Sequence, residues 1–269
     1  SLWTRTARLD GTNSKGEAIS YFLKLTSLPQ GSSLTLSEYT SMSLLHKTLP
    51  TFTPRPIAHG TYTNPNLPNI HFYLSLFLPL QNILPSPPLF CRTLATLHQS
   101  STSTSPTGRF GFEIPTFHGT TAIEHGWHDT WEAYFSATTK ALLEKEQAVR
   151  GRCAEVEEME DVFFGKVVPR LLRPMEMSGR ALRPSLIHGD LWDGNVGVVD
   201  AGDGEGGRPV VFDAGSCFAH FEYDLAVWRS PWNKINRPFI DEYVKHNPPS
   251  SPAEDFEDRG ELYSMSVFQ

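Results

Sequence analysis

The chain has 269 residues, 39% of them hydrophobic and 20% charged, with a formal net charge of −7. That length supports one large domain or two lobes around a substantial core, and the acidic balance argues against nucleic acid as a partner. No apolar run is long enough to cross a bilayer and no signal-peptide pattern opens the chain, so no membrane partner is expected.

Cys91, Cys153 and Cys217 are far apart, odd in number and in no metal-ligand spacing; they read as reduced thiols of a cytoplasmic protein. The chain begins at Ser1, and its first residues already have strand character, so it reads as a fragment.

Residues 2–9 alternate bulky and polar side chains imperfectly, and residues 18–25 form a second strand-like run. Asp10-Gly11 and Lys15-Gly16 lie between them and predict a hairpin. Leu34, Leu36, Tyr39, Met42, Leu44 and Leu45 fall at helical spacing over 34–47. Strands are expected near 57–62 and 71–78, the second apolar enough to be buried. Pro79 to Pro88 reads as a connector between two bodies. A helix over 87–99, a Ser/Thr loop over 100–105, and long helices near 128–150 and 155–173 follow. Strands near 196–199 and 209–213 flank a Gly-rich turn. The Pro- and acid-rich stretch 248–260 reads as a solvated surface segment or a helix start. The order predicts an α+β, two-lobed plan: a β-rich N-lobe over 1–80 and a helical C-lobe over 81–269.

The chemistry concentrates in residues 188–195, HGDLWDGN. His188, Asp190 two residues on, and Asn195 five residues after that have the spacing of a kinase catalytic loop. In such a loop the Asp accepts the proton of the attacking hydroxyl and the Asn holds a magnesium ion. Val210-Val-Phe-Asp213-Ala-Gly215 follows, an apolar strand ending in an Asp where a kinase places its second magnesium carboxylate. The Asp-Ala-Gly sequence permits a tight backbone turn beside a metal. Lys24 sits inside an apolar strand, a costly place for an ammonium unless it is paired or reaches a ligand. Glu38, on the first helix, is the expected partner, and the pair would aim the ammonium at ATP phosphates. Each residue alone also fits a bland role: surface charges for Lys24 and Glu38, a turn residue for Asp190 or Asp213, a core histidine for His188. Their order along the chain favours the functional reading, with His188 bracing the loop by hydrogen bonding.

Gly202-Asp-Gly204-Glu-Gly206-Gly207 satisfies G-x-G-x-x-G, but no helix follows and Asp203 and Glu205 would repel phosphate, so it reads as a hairpin turn. A true glycine-rich loop is expected before Lys24, with Ser1 at or just past its end.

HGDLWDGN followed by FDAGSCFAHFEYDLAV resembles the fructosamine/ketosamine-3-kinase family, the protein-ribulosamine 3-kinases, in fungal wording. Aminoglycoside phosphotransferases carry other residues at the Trp position. Gly31 to Leu45, Pro54 to Gly60, Thr107 to Phe112 and Trp127 to Trp131 support the resemblance. It implies a bilobal protein-kinase-like, aminoglycoside-phosphotransferase-like fold, ATP and Mg2+ as cofactors, and phosphate transfer to the C3 hydroxyl of a ketosamine. The product then eliminates phosphate and releases the amine, so the implied role is deglycation of glycated proteins or free ketosamines. Carried onto this chain, Asp190 is the base, Asn195 and Asp213 are the metal ligands, and Lys24 and Glu38 bind the nucleotide phosphates. Trp192 lies beside the acceptor, Asp224 braces the catalytic loop and Glu222 is structural. The chain departs from the family in lacking the glycine-rich loop and in stopping soon after Glu261-Leu-Tyr263, departures that imply weakened ATP binding. Two other readings stay open: a kinase of this fold with another acceptor, and a kinase-like binding module inactivated by loss of that loop.

Overall fold

The computed structural model describes residues 4–81, 83–200 and 207–267. Strands β1 (Arg5–Thr12) and β2 (Ala18–Thr26) pair antiparallel from Arg5 opposite Leu25 to Thr12 opposite Ala18. Asp10 and Gly11 therefore lie inside β1, and the turn falls at the second expected dipeptide, Lys15-Gly16. Asn13 makes the turn: its Oδ1 accepts from the backbone N–H of Lys15 and of Glu17. Gly16 supplies the positive φ, 80°. Helix α1 (Gly31–Thr48), β3 (Pro56–Asn64) and β4 (Leu67–Leu76) complete an antiparallel sheet in the order β1-β2-β4-β3, with α1 packed on β3 and β4. Met42 and Leu45 of α1 are buried with Phe52 and Tyr73.

The Pro-rich connector is partly structured. β5 (Leu80–Gln81) pairs with Val199 and Val198 of a later hairpin, which ties the connector to the second half of the chain. α2 (Pro87–Ser100) buries Phe90, Leu94 and Leu97. The Ser/Thr run after it forms turns, yet Ser101 is buried, and its Oγ accepts from the Leu186 N–H at 2.9 Å. Four three-residue strands follow: β6 (Phe110–Phe112), β7 (Thr116–His118), β8 (Thr121–Ile123) and β9 (Gly126–His128). They are too short to leave a periodic signal in sequence.

α3 (Trp131–Arg150) starts where Thr130 caps it, the Thr130 Oγ1 accepting from the Ala133 N–H. The expected second long helix is broken into α4 (Ala154–Val162), a π turn over Phe163–Val167, and α5 (Val168–Leu172). Gly165 weakens the helix here, and Pro169 has no N–H to donate to the preceding turn. β10 (Ser185–Ile187), β11 (Val196–Val199), β12 (Arg208–Val211) and β13 (Cys217–Ala219) form two small sheets with the earlier strands, in the orders β10-β13-β6-β9 and β12-β11-β5. The Gly-rich turn at 202–206 and the Ser1 end of the expected nucleotide loop lie outside the described residues. A 3-10 segment over Phe221–Arg229, α6 (Arg237–His246) and α7 (Phe256–Val267) complete the chain. Among the described residues no helix is long and apolar enough to cross a membrane.

The core is aromatic. Trp131, fully buried, stacks on Tyr134 at 5.3 Å and donates its indole N–H to the Tyr263 hydroxyl at 2.7 Å. Phe90, Trp228 and Phe239 meet at about 6 Å between ring centres, joining α2, the 3-10 segment and α6.

The stretch 248–260 does hold a helix start, α7 opening at Phe256, and Glu254 and Asp258 are exposed, but two of its charges are buried rather than solvated. Asp255 is buried and takes a two-pronged contact from Arg170 at 2.8 and 2.9 Å. Arg259, fully buried, donates to both carboxylate oxygens of Glu222 at 2.8 and 2.9 Å and to the carbonyls of Ser250 and Pro252. Composition reads such residues as solvated, whereas here their charges are paired internally. Arg259→Ala strands a buried carboxylate, so denaturant unfolding should lose about 3–5 kcal/mol; replacing the pair together by Met and Leu should recover most of it.

Candidate active site

Two halves of the chain face each other across a cleft of about 760 Å3. Phe22, Leu76, Phe77, Leu78 and Phe212 make part of its lining apolar, while Lys24, Glu38, Asp190, Asn195 and Asp213 gather in the same cleft. The structure thus brings together five of the residues singled out from sequence.

Lys24 lies on β2, in register with Thr6 of β1 and Tyr73 of β4. Its ammonium sits 2.9 Å from Glu38 on α1 and 2.5 Å from Asp213. Burial works against this ammonium, yet the two carboxylates hold its pKa above the ordinary lysine value. Burial lifts the Glu38 carboxyl to about 7; Lys24 opposes that rise and Asp213 adds to it. One lysine thus bridges the first sheet, α1 and the metal-type aspartate. α1 is docked on the same segment a second time, because Ser41 Oγ accepts from the Ser216 N–H at 3.0 Å.

Residues 188–195 are held mostly through their backbone. Asp224, buried in the 3-10 segment, accepts from the N–H of His188 and of Gly189, each at 2.8 Å, and from Nε2 of His98 at 3.2 Å. Burial alone would raise the Asp224 pKa; the bonds from His98 and His188 instead keep it below the ordinary carboxylate value. His118 donates to the Gly189 carbonyl at 2.8 Å, and the Trp228 indole donates to the Leu191 carbonyl at 2.8 Å. Asn233 Oδ1 accepts from the Asp193 N–H at 3.1 Å. His188 accepts the Asp190 N–H at Nδ1 and donates from Nε2 to the Phe212 carbonyl at 3.1 Å. Burial depresses the imidazole's pKa, so at neutral pH it is an uncharged brace.

Asn195 donates from Nδ2 to the backbone carbonyl and the Oδ2 of Asp190, at 2.8 and 2.9 Å. That locks the Asp190 carboxylate to Asn195 and leaves the amide oxygen as the available metal donor. Asp213 adopts φ 61°, a left-handed conformation uncommon for a non-glycine residue. The tight turn expected over Asp-Ala-Gly is made at Asp213. The close approach falls on Gly189, where a Cβ would meet the Gly215 carbonyl oxygen at 2.2 Å. Gly189 is doubly required, since its φ is 83°.

No group of three or more His, Cys, Asp or Glu side chains suited to a metal occurs among the described residues. Magnesium needs less, taking one or two carboxylates and filling its octahedron with waters and substrate phosphates. The Asn195 amide oxygen and the Asp213 carboxylate are hard oxygen donors in one cleft and fit that requirement. Trp192 lines the cleft over Gly194, where any Cβ would stand 2.2 Å from its ring.

His98, His118, Trp228 and Asn233 were not foreseen. Each acts through a hydrogen bond to residues far away in sequence, and no spacing rule announces that. Asp224→Ala should unpair the His188 and Gly189 amides, lower unfolding stability by about 2–5 kcal/mol, and speed hydrogen exchange at those two amides more than at the β1–β2 pair.

Known proteins give this arrangement a context. A solved fructosamine-3-kinase assignment from Thermobifida fusca superposes with a TM-score of 0.67 at 19% identity, over 97% of this chain and 86% of that one. An aminoglycoside phosphotransferase solved with AMP-PNP and hygromycin B gives a TM-score of 0.60 at 16% identity, over 99% and 81%. These likenesses establish the bilobal, protein-kinase-like fold. A mouse protein named ketosamine-3-kinase is 30% identical over 161 residues, 58% of this chain and 46% of the mouse protein. A Staphylococcus aureus protein named probable ketoamine kinase is 29% identical over 143 residues, 52% of this chain and 45% of that protein. The chain thus spans about half the length of the curated relatives it matches. The profile of the fructosamine kinase family matches residues 9–268, and the chain belongs to that family.

Proposed function

We propose that this chain is an ATP- and magnesium-dependent kinase that phosphorylates the C3 hydroxyl of ketosamines, the sugar adducts of lysines and free amines. The observation that carries the reading is the locked pair of Asp190 and Asn195 in one cleft with Lys24 and Asp213. In this reading residues 1–80 form an N-lobe that binds the nucleotide and residues 81–269 a C-lobe that binds the acceptor.

The apolar part of the cleft lining suits a purine ring, and the Lys24 ammonium suits the α- and β-phosphates, steadied from behind by Glu38. Asn195 and Asp213 would hold a magnesium ion, which would supply charge neutralisation for the transferring phosphoryl group. Lys24 pairs with the same Asp213 carboxylate that would hold the metal, so the two cations would compete for it. Asp190 accepts the proton of the C3 hydroxyl as that oxygen bonds to the γ-phosphorus and the bond from phosphorus to the ADP oxygen breaks. Positioning and charge neutralisation carry most of the rate, because the transition state is loose. Elimination of the 3-phosphate releases the free amine, which makes the reaction a deglycation step, a protein repair in the cytoplasm.

The names of the relatives support the acceptor class: ketosamine-3-kinase in mouse and protein-ribulosamine 3-kinase in Arabidopsis thaliana. A kinase of this fold acting on another acceptor is separable by substrate. With ATP and magnesium, ribulosamine and fructosamine adducts of lysine should be phosphorylated, detected by phosphorus NMR of the ketosamine 3-phosphate. Phosphorylation of an aminoglycoside or choline, with no ketosamine turned over, would show that the acceptor assignment is wrong.

A further inference from the structure

Trp232 is a large aromatic side chain that stays 54% exposed, and nothing in the phosphoryl-transfer reading uses it. An exposed indole beside a catalytic cleft is unusual, because tryptophan normally buries most of its surface. Its ring centre lies 5.9 Å from that of Trp192, at 70°, so one indole stands edge-on to the other. Trp192 lines the cleft and is itself 37% exposed; Trp232 stands just outside the lining. The two rings form an angled wall running from the catalytic loop toward solvent.

The turn that carries Trp232 is fixed to the catalytic loop. Asn233, almost fully buried, accepts at Oδ1 from the Asp193 and Ile235 N–H groups and donates from Nδ2 to the Val227 carbonyl, each at 3.1 Å. The Lys234 N–H donates to Asp193 Oδ1 at 3.2 Å, and its ammonium lies 3.3 Å from Asp193 Oδ2. Residues 233–234 are therefore tied to Asp193, and Trp232 is placed beside Trp192 by its neighbour in the chain and by the ring contact, without its own ring being buried. A preorganised exposed aromatic is suited to ligand contact, because little side-chain freedom is lost on binding.

Resting on the ketosamine kinase reading, we infer that Trp232 is a specificity-determining residue that receives the carrier amine of the substrate. The sugar and the secondary ammonium at its C1 face Trp192, where an indole offers both an apolar face and a cation–π contact. The chain leaving that nitrogen must exit past Trp192. For a lysine adduct that chain is four methylenes, and the 5.9 Å between ring centres is the scale of such a run. Trp232 gives those methylenes an apolar surface, which a short amine cannot use. The wall therefore selects ketosamines of lysine side chains over those of small amines.

The test compares two acceptors, the ribulosamine of Nα-acetyl-lysine amide and the ribulosamine of methylamine, in wild type, Trp232→Ala and Trp232→Phe. Because the ring is exposed, the variants should melt within a few degrees of wild type. Wild type should prefer the lysine adduct. Trp232→Ala should reduce the ratio of kcat/KM values, lysine adduct over methylamine adduct, at least fivefold, mainly through KM of the lysine adduct, with KM for ATP shifted less than twofold. Trp232→Phe should restore most of the ratio. An active enzyme whose ratio is unchanged in Trp232→Ala overturns this inference alone. A wild-type enzyme that turns over neither ketosamine overturns the ketosamine reading, and the inference with it.

Discussion

The buried carboxylate of Asp224 fixes the geometry on which the site depends. A loop that must present Asp190 and Asn195 in a set relation cannot itself be a regular helix or strand, so its backbone donors need partners elsewhere. Asp224 supplies them for His188 and Gly189 together, and is in turn bonded by His98, which takes the Tyr243 hydroxyl on its other nitrogen. The chain of contacts runs from the core of α2 and α6 into the catalytic loop. Gly189 allows the tight backbone, His118 and Trp228 hold the carbonyls on either side of Asp190, and Asn233 holds the turn beyond. The chemistry-bearing side chains sit on a scaffold whose rigidity comes from the aromatic core.

The other half of the site depends on a charge that the fold cannot leave unpaired. Lys24 is largely buried on β2, and two carboxylates answer it, one from α1 and one from the segment after β12. Because Glu38 and Asp213 come from opposite sides of the cleft, the lysine couples their positions. The proposed nucleotide phosphates and magnesium would take over part of that pairing, so ligand binding exchanges one set of charge contacts for another. The left-handed backbone at Asp213 fits a residue whose placement is set by its surroundings.

Much of this was legible in sequence, for definite reasons. HGDLWDGN and the downstream Asp213 are local motifs, and their spacing encodes the distance between side chains directly. Lys24 and Glu38 could be paired because a charge in an apolar strand demands a partner. Helix α1 and strands β2 and β4 were readable from their periodicity. The hairpin was readable from Lys15-Gly16, which falls in the turn; Asp10-Gly11 has the same turn chemistry but lies inside β1, because Asn13 with its two backbone bonds sets where the chain reverses. The helix start within 248–260 was readable, but the burial of Asp255 and Arg259 was not, because their partners lie up to 85 positions away, as Arg170 with Asp255 shows. The four strands between residues 110 and 128 are too short to have a period, and the grips of His118, Trp228 and Asn233 on the loop are purely tertiary.

The central claim is that Asp190, held by this scaffold, is the base of a phosphoryl transfer to a ketosamine. It is tested most directly by magnesium-dependent ATP turnover with a ribulosamine-modified lysine, measured in wild type and in Asp190→Ala. Wild type should turn over steadily and the variant should lose at least about a hundredfold, with the melting temperature little changed. A variant that keeps the wild-type rate would contradict it.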